Sequence, residues 1–67
     1  MNIRKLRGRI RECYETQEAF ARDMAMSPAT LSKKLNDKTE FTRSEIDLAC
    51  RLLKIDADDV AAYFFVH

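Results

Sequence analysis

The side chains with the clearest chemical potential in this 67-residue sequence lie between residues 28 and 36. If Leu31 and Leu35 point inward from a helix, a rotation of about 100° per residue turns Lys33 outward. Ala29 and Asn36 fall on the same outward side. The major groove of DNA accommodates a small, polar and cationic face of this kind, because lysine can donate to O6 and N7 of guanine.

The other side chains on this face predict complementary contacts to bases. Pro28 and Ala29 offer apolar contact to a thymine methyl group, and the hydroxyl of Ser32 can pair with almost any base. No large apolar or acidic side chain interrupts the face. The sequence therefore predicts a base-reading set made of Pro28, Ala29, Thr30, Ser32 and Lys33.

Two short helices and a tight turn must position this face. Thr16 can cap the first helix and Ser27 the second, because their side-chain oxygens can accept from free amide groups. Pro28 then takes the first helical position, where a missing N–H costs nothing. Only residues 24–26 remain between the helices, and Ala21 is small enough to let the second helix cross closely. This spacing predicts a helix-turn-helix, whose second helix enters a DNA major groove.

Three stretches carry a family resemblance: TQEAFA at 16–21, the Ser-x-x-Thr-Leu-Ser run at 27–32, and FTRSEIDLACRLL at 41–53. They resemble the Cro and repressor-type (lambda-repressor-like) helix-turn-helix regulators of bacteriophages, over residues 1 to about 55. The Lys-Leu-Asn ending of the third helix and the Tyr-Phe-Phe near the C-terminus are similar to a subset of short phage proteins. The resemblance implies a lambda-repressor-like DNA-binding domain acting in a phage or prophage.

The phosphates of the duplex would be held by residues around this motif. Gln17 begins the second helix, where its side chain and the free amides can face a phosphate. Lys34 lies nearer the buried side of its helix and is expected to reach sideways to the backbone. In similar regulators, residues on the connector after the third helix hold phosphates, and a basic residue at position 43 approaches the minor groove. The alternative is that these are ordinary surface residues. The predicted phosphate-binding set is Gln17, Ser27, Lys34, Asn36, Lys38 and Arg43.

Two positions depart from the family pattern. Many relatives place glycine in the turn, whereas this sequence has Ala25, and an alanine with positive φ costs about 1 kcal/mol. The turn is therefore expected to be either strained or differently shaped. Position 34 is commonly apolar, but here it is Lys34, and Leu35 takes the core role instead. We expect this exchange to rotate the end of the third helix slightly.

The pattern of apolar residues predicts an all-α fold, because it repeats with a period of 3.6 rather than 2. Glycine and proline occur once each, so hairpins and long loops have little support. We predict helices over residues 2–14, 16–24 and 28–36, a fourth that begins with a Thr42–Glu45 capping box, and a fifth over 57–64 capped by Asp56. Together they form one compact five-helix domain over residues 1–67. The expected inward positions are Ile3, Leu6, Ile10, Cys13, Tyr14, Ala19, Phe20, Met24, Met26, Leu31, Leu35, Ile46, Ala49, Leu52 and Leu53.

Charge is distributed unevenly along the sequence. The formal net charge is only +1, but residues 1–11 carry five basic side chains and no acid. Residues 55–67 carry three aspartates and neither lysine nor arginine. A basic face opposite an acidic pole is a pattern that nucleic-acid-binding proteins share. A solvated helix face that happens to be basic is the alternative.

Several classes of function have little support. His67 is the only histidine, and no nucleophile, base and orienting group are arranged together, so we expect no catalysis. Cys13, Cys50 and His67 lack the spacing of a metal site, and no metal, cofactor or small-molecule ligand is expected. The cysteines are expected to be buried thiols, with a disulfide as the alternative. The longest apolar run, 60–66, is far shorter than the roughly 20 residues of a membrane helix, so we expect no membrane partner and a cytoplasmic location in a bacterial host, nucleoid-associated when bound.

Aromatic residues are concentrated at the C-terminus. A short helix on a small domain can bury only part of them, so residues 60–67 are expected to provide a homodimer contact. A two-fold dimer would place two recognition helices about 34 Å apart and read an inverted repeat. The alternative is that the rings only close the core over helices 1 and 4. The predicted dimer residues are Tyr63, Phe64, Phe65 and Val66.

These observations favour a sequence-specific regulator of transcription that binds an operator in double-stranded DNA. Occupancy would be the mechanism, because a bound dimer would exclude or admit RNA polymerase. The alternative is a protein-interaction adaptor that keeps the fold and binds a repressor or a polymerase subunit. An adaptor would be expected to carry an acidic or apolar third-helix face, and Ala29, Ser32 and Lys33 argue against that.

Overall fold

The computed structural model describes residues 1–65, and all regular structure in that range is helical. Five α-helices follow one another, and a short 3-10 helix, Ala57–Asp59, leads into the last. Their bounds are α1 Ile3–Cys13, α2 Gln17–Asp23, α3 Pro28–Leu35, α4 Arg43–Leu52 and α5 Val60–Phe64. The prediction of a compact, all-α five-helix fold is confirmed, and the Cα radius of gyration of 10.7 Å is that of a compact chain of this length.

Side chains cap the amino ends of the first four helices. Asn2, Thr16 and Ser27 each accept a bond from the amide three residues later, at 3.1 Å. At α4, Thr42 accepts from the Glu45 amide while the Glu45 carboxylate accepts from the Thr42 amide, so the predicted capping box is confirmed. The predicted cap at Asp56 is wrong: its backbone is extended as a cap requires, but its side chain makes no capping bond.

Three helices end in the same backbone motif without a glycine. Ala25, Asp37 and Lys54 follow α2, α3 and α4 and have left-handed φ values of 59°, 60° and 54°. After α2, the Met26 amide donates to the Ala21 carbonyl at 3.0 Å, the long bond of a Schellman motif. The turn between α2 and α3 therefore has the left-handed shape that favours glycine, and the strain falls on Ala25.

The core lies where the five helices meet. Leu31 and Leu35 of α3 are fully buried, which confirms that this side of α3 points inward. Ala21 is also fully buried and lets α2 and α3 pack closely. Ile55 is buried although it was not among the expected inward positions, and the burial of Phe64 agrees with the alternative in which C-terminal rings close the core. The apolar core consists of Leu6, Ile10, Phe20, Ala21, Met24, Leu31, Leu35, Ala49, Leu53, Ile55 and Phe64.

Polar contacts fasten α1 to the other helices. Arg9 Nε donates to the Leu53 carbonyl at 2.8 Å, at the carboxyl end of α4. The Tyr14 hydroxyl donates to the Asp23 carboxylate at 2.8 Å and so links α1 to α2. The chain start is held as well, because the Asn2 amide donates to the Tyr63 carbonyl at 2.9 Å.

The two cysteines are free thiols rather than a disulfide. The prediction that both are buried is wrong for Cys13, which is exposed at the end of α1 and whose Sγ lies 3.8 Å from the Leu53 carbonyl oxygen. Cys50 is partly buried, and this burial raises the pKa of its thiol. No helix within residues 1–65 is long and apolar enough to cross a membrane.

Candidate nucleic-acid interface

The outer face of α3 combines small, hydroxyl and cationic side chains. We use this name for Pro28, Ala29, Thr30 and Lys33, all of which are exposed, together with Ser32 at its half-buried edge. The sequence prediction of which residues point outward is thus confirmed, with Ser32 less accessible than the rest. Because the face has only one long side chain, Lys33, the backbone of α3 can approach a flat or concave surface closely.

The amino end of α3 is held in a fixed conformation by two hydroxyl groups. The Ser27 hydroxyl accepts from the Thr30 amide at 3.1 Å and donates to Thr30 Oγ1 at 2.9 Å. The hydroxyl hydrogen of Thr30 is therefore left to donate outward, since its oxygen already accepts. Thr30 is in this way prepared as a donor to an acceptor such as a base edge or a phosphate.

The carboxyl end of α3 is tied to α1. Asn36 caps α3, and its Oδ1 accepts from Arg7 Nη2 at 2.9 Å. Its Nδ2 lies 3.4 Å from the Ser32 hydroxyl, which places a chain of three polar side chains along the end of the helix. Sequence reasoning assigned Asn36 to a phosphate but missed Arg7, because nothing local in the sequence connects residues 29 positions apart.

The other predicted phosphate ligands lie at the ends of α2, α3 and α4 and in the connector. Gln17 is half-buried at the first position of α2, and Ser27 is exposed just before α3, where its hydroxyl hydrogen is donated to Thr30. Lys38 is exposed within the connector between α3 and α4, and Arg43 is exposed at the first position of α4. The structure therefore leaves Asn36 and Lys38 exposed at and after the carboxyl end of α3, and it places Gln17 in a cleft with residues of α1. Whether they bind phosphate stays a prediction.

The structure contradicts the prediction that Lys34 is a phosphate ligand. The residue is 8% exposed, and its ammonium donates to the Glu40 carbonyl at 2.9 Å and lies 3.0 Å from the Glu45 carboxylate. The ring of Phe41 lies beneath it, 5.8 Å from Nζ to the ring centre. The charge is thus used to join α3 to the connector and α4, and it cannot reach a phosphate while these bonds hold.

The carboxylate of Glu45 has its pKa held below the ordinary value. The Thr42 amide is the main cause, burial opposes it, and the Lys34 ammonium adds to the lowering. Glu45 therefore remains ionised and satisfies both the cap of α4 and the buried ammonium. One carboxylate ties the start of α4 to the inner side of α3.

The C-terminal aromatic residues divide into buried and exposed. The assignment of Phe64 to a dimer contact is wrong, because Phe64 is 7% exposed and meets the Phe41 ring edge-on at 5.7 Å. Tyr63 is half-buried, with the Lys5 ammonium 4.9 Å from its ring centre. Phe65 is 56% exposed and is the large apolar side chain that the described part of the chain leaves to solvent. Val66, the fourth predicted dimer residue, lies outside the described residues.

A groove of about 360 Å³ lies beside Phe65, and its lining is part apolar and part polar. Aromatic and aliphatic side chains of the connector, α4 and α5 contribute to the lining, as do two carboxylates, Asp37 and Glu40. The groove is large enough to receive a phenyl ring. Its lining consists of Met1, Asp37, Thr39, Glu40, Phe41, Ile46, Phe64 and Phe65.

The chain matches, over residues 1–67, the family described as "Protein of unknown function (DUF739)", and it belongs to that family. None of the curated proteins matches it. The family description assigns no activity.

Proposed function

We propose that this protein is a sequence-specific DNA-binding regulator of transcription that reads an operator with α3 in the major groove. The observation that carries the proposal is the outer face of α3, where Pro28, Ala29, Thr30 and Lys33 are exposed while Leu31 and Leu35 are fully buried. A helix presented in this way can enter a groove about 12 Å wide without moving away from its core. The resemblance to Cro and repressor-type phage regulators supports the same hypothesis, that of a DNA-binding regulator.

The surroundings of α3 suit a polyanion. Lys33 would donate to a guanine, and Thr30 would donate to a neighbouring base or phosphate through its free hydroxyl hydrogen. Gln17, Asn36, Lys38 and Arg43 would hold the phosphates and fix the register of α3 in the groove. Regulation would follow from occupancy of the operator in the cytoplasm of a bacterial host, with no cofactor.

The same proposal includes a homodimer that reads an inverted repeat. Phe65 and the groove beside it support this part, because an exposed phenyl ring next to a groove with aromatic lining residues can be exchanged between two copies about a two-fold axis. Sedimentation of Phe65→Asp measures it: we expect a dimer for the natural chain and a folded monomer for the variant. A folded variant with unchanged mass would remove the dimer.

A protein-interaction adaptor is the second candidate, since the groove beside Phe65 also suits an apolar segment of another protein. The cationic outer face of α3 favours DNA over this alternative. An adaptor predicts that no DNA sequence is enriched from a random pool, whereas the regulator predicts a palindromic site with half-sites about 10 base pairs apart. Selection of bound duplexes from such a pool therefore separates the two functions.

Two substitutions test how the selected site is read. Lys33→Ala should weaken binding by about 1–3 kcal/mol and relax the preference at one base pair. Lys38→Ala should weaken binding to all sequences alike and flatten its salt dependence. Gel shifts on the selected site and on random DNA measure both. Equal losses on the two DNAs for Lys33→Ala, or no shift of the natural chain with any duplex at low salt, would contradict the proposal.

A further inference from the structure

Three arginines form an exposed strip along one flank of α1. Arg4, Arg7 and Arg11 recur at helical spacing, and Gly8 lies among them with no atom within 4 Å of the position a Cβ would take. Together with Ile3 they line an open groove of about 490 Å³. The flank is therefore both strongly cationic and unobstructed. The DNA contacts proposed for α3 and its surroundings do not involve it.

The arginine strip continues into the surface around α3. Arg7 donates to Asn36 at the end of α3. Arg7 and Arg11 also line a cleft of about 150 Å³ that they share with Thr16 and Gln17 at the start of α2. Two separate contacts thus place the strip beside residues that the proposed function assigns to phosphates.

The charge of the strip is not neutralised within the described residues. Arg7 is bonded to an amide, which is uncharged, and the two ion pairs among residues 1–65 involve Arg9 and Lys34 instead. Arg9 approaches the end of α4 from the other flank of α1. Glu15 is the one carboxylate that lines the shared cleft. An arginine held in place by an amide keeps its full charge and four N–H groups for another acceptor.

We propose that the arginine strip is a second phosphate-binding surface, which extends the DNA contact from α2 and α3 onto α1. Arg7 and Arg11 bind successive backbone phosphates beyond the one at Gln17, and Arg4 continues the line. Arginine suits this role because its planar fork pairs with phosphate in a bidentate way. The inference rests on the proposed function, since it presumes that α3 lies in a major groove.

The salt dependence of DNA binding tests the strip directly. The test uses the full chain and a duplex of about 30 base pairs with random sequence, because phosphate contacts do not depend on sequence. Arg7→Ala and Arg11→Ala should each make the slope of log K against log salt concentration less steep by about 0.9, and the double variant by about 1.8. The affinity ratio of natural chain to double variant should then shrink about 12-fold between 50 mM and 200 mM salt.

Two further variants make the test specific. Arg51→Ala removes an equal charge from an exposed site on α4, whose carboxyl end approaches the opposite flank of α1, so it should leave the slope unchanged. Glu15→Gln should tighten binding, because it removes a repulsive carboxylate from the cleft. Both substitutions change exposed residues and should leave the helical circular dichroism spectrum intact.

The outcomes separate this inference from the function on which it rests. If the natural chain binds DNA and the arginine variants show the same slope of log K against log salt concentration, the strip inference is overturned and the proposed function stands. An acidic segment of a protein is then the expected ligand of α1. If the arginine variants and Arg51→Ala flatten the slope equally, the effect is one of net charge and the inference also fails. If the natural chain binds no DNA, the proposed function falls and the strip with it.

Discussion

Replacement of Lys34 by methionine is the sharpest test of how α3 is held. Methionine retains most of the buried stem but removes the ammonium that bonds the Glu40 carbonyl and the Glu45 carboxylate. The variant leaves a carbonyl and a carboxylate without their buried donor. We therefore expect α3 to lose its tie to the connector and α4 while the apolar core stays filled.

The magnitude follows from the geometry. At 3.0 Å the attraction between the Lys34 ammonium and the Glu45 carboxylate is about 5.5 kcal/mol at an effective dielectric constant near 20. Desolvation of the ammonium offsets most of it, because the Lys34 side chain is 11% exposed and its partner only 26%. Loss of the bond to the Glu40 carbonyl adds about 1 kcal/mol. We expect Lys34→Met to lower the free energy of unfolding by about 2 kcal/mol.

Urea unfolding followed by circular dichroism at 222 nm measures this change. Lys33→Met is the matched control, because the neighbouring lysine is exposed and makes none of these contacts, and it should change stability by less than about 0.5 kcal/mol. Glu45→Gln keeps an acceptor for the Thr42 amide, so a double-mutant cycle with Lys34→Met isolates the ion pair. A coupling energy near 1 kcal/mol is expected. Equal stabilities for the two lysine variants, or a coupling within error of zero, would refute the reasoning.

The contact between Lys34 and Glu45 also predicts how the free energy of unfolding falls at acid pH. The pKa of Glu45 is lowered in the folded protein, chiefly by the Thr42 amide and further by Lys34. Because the pKa of Glu45 is lower in the folded than in the unfolded protein, its ionised carboxylate stabilises the fold above the unfolded pKa of about 4.5. This stabilisation is lost as the pH falls through the folded pKa. The stability lost below pH 4.5 should therefore be smaller in Lys34→Met than in the natural chain. It should not vanish, because the Thr42 amide remains.

Three other substitutions address the backbone and α1. Ala25→Gly should raise the unfolding free energy by about 1 kcal/mol, a melting-temperature gain of about 4–8 °C, because φ of 59° strains alanine; no gain in calorimetry would show that the turn is unstrained. Gly8→Ala should add about 1 kcal/mol through helix propensity, since a Cβ there meets no atom, and a loss of stability would indicate a hidden close contact. Tyr14 has its pKa raised to about 12 by burial and by the bond to Asp23, so its contribution to stability should hold up to pH 10 and disappear towards pH 12. Asp23→Asn should move the ultraviolet titration of Tyr14 back towards 10, and an unchanged titration would exclude the carboxylate as a cause.

Local signals in the sequence were sufficient for the helices and for the outer face of α3. The caps at Thr16, Ser27 and Thr42 act on amides three residues away, so their geometry is contained in a few consecutive residues. The inward and outward sides of α3 follow from its period, and burial of Leu31 with exposure of Lys33 confirms them. At residue 25 the family resemblance left two alternatives, a strained turn or a differently shaped one, and the φ of 59° at Ala25 shows the strained, left-handed turn.

Contacts between distant residues were beyond such reasoning. The helical period placed Lys34 near the buried side of α3. Only the packed structure shows that its ammonium contacts the Glu40 carbonyl and the Glu45 carboxylate there. Phe64 joins the core because Phe41 from the connector meets its ring, a pairing that no sequence spacing indicates. Cys13 shares the buried stripe of α1 in projection, yet it is exposed at the end of that helix, with its Sγ 3.8 Å from the Leu53 carbonyl oxygen.

The two adjacent lysines of α3 differ in what surrounds their charges. The Lys34 ammonium is buried and pairs with Glu45, which fixes α3 against α4. Lys33, one position earlier, faces solvent. Asn36 fixes the other end of α3 through Arg7, and Ser27 fixes its start. Because α3 is held at three points, it presents Lys33 and Thr30 in one orientation. Under the proposed function, a base contact gains discrimination when its donor is positioned before binding. Loss of Lys34 should therefore reduce discrimination between DNA sequences more than it reduces binding to random DNA, the opposite of what a phosphate ligand at this position would do.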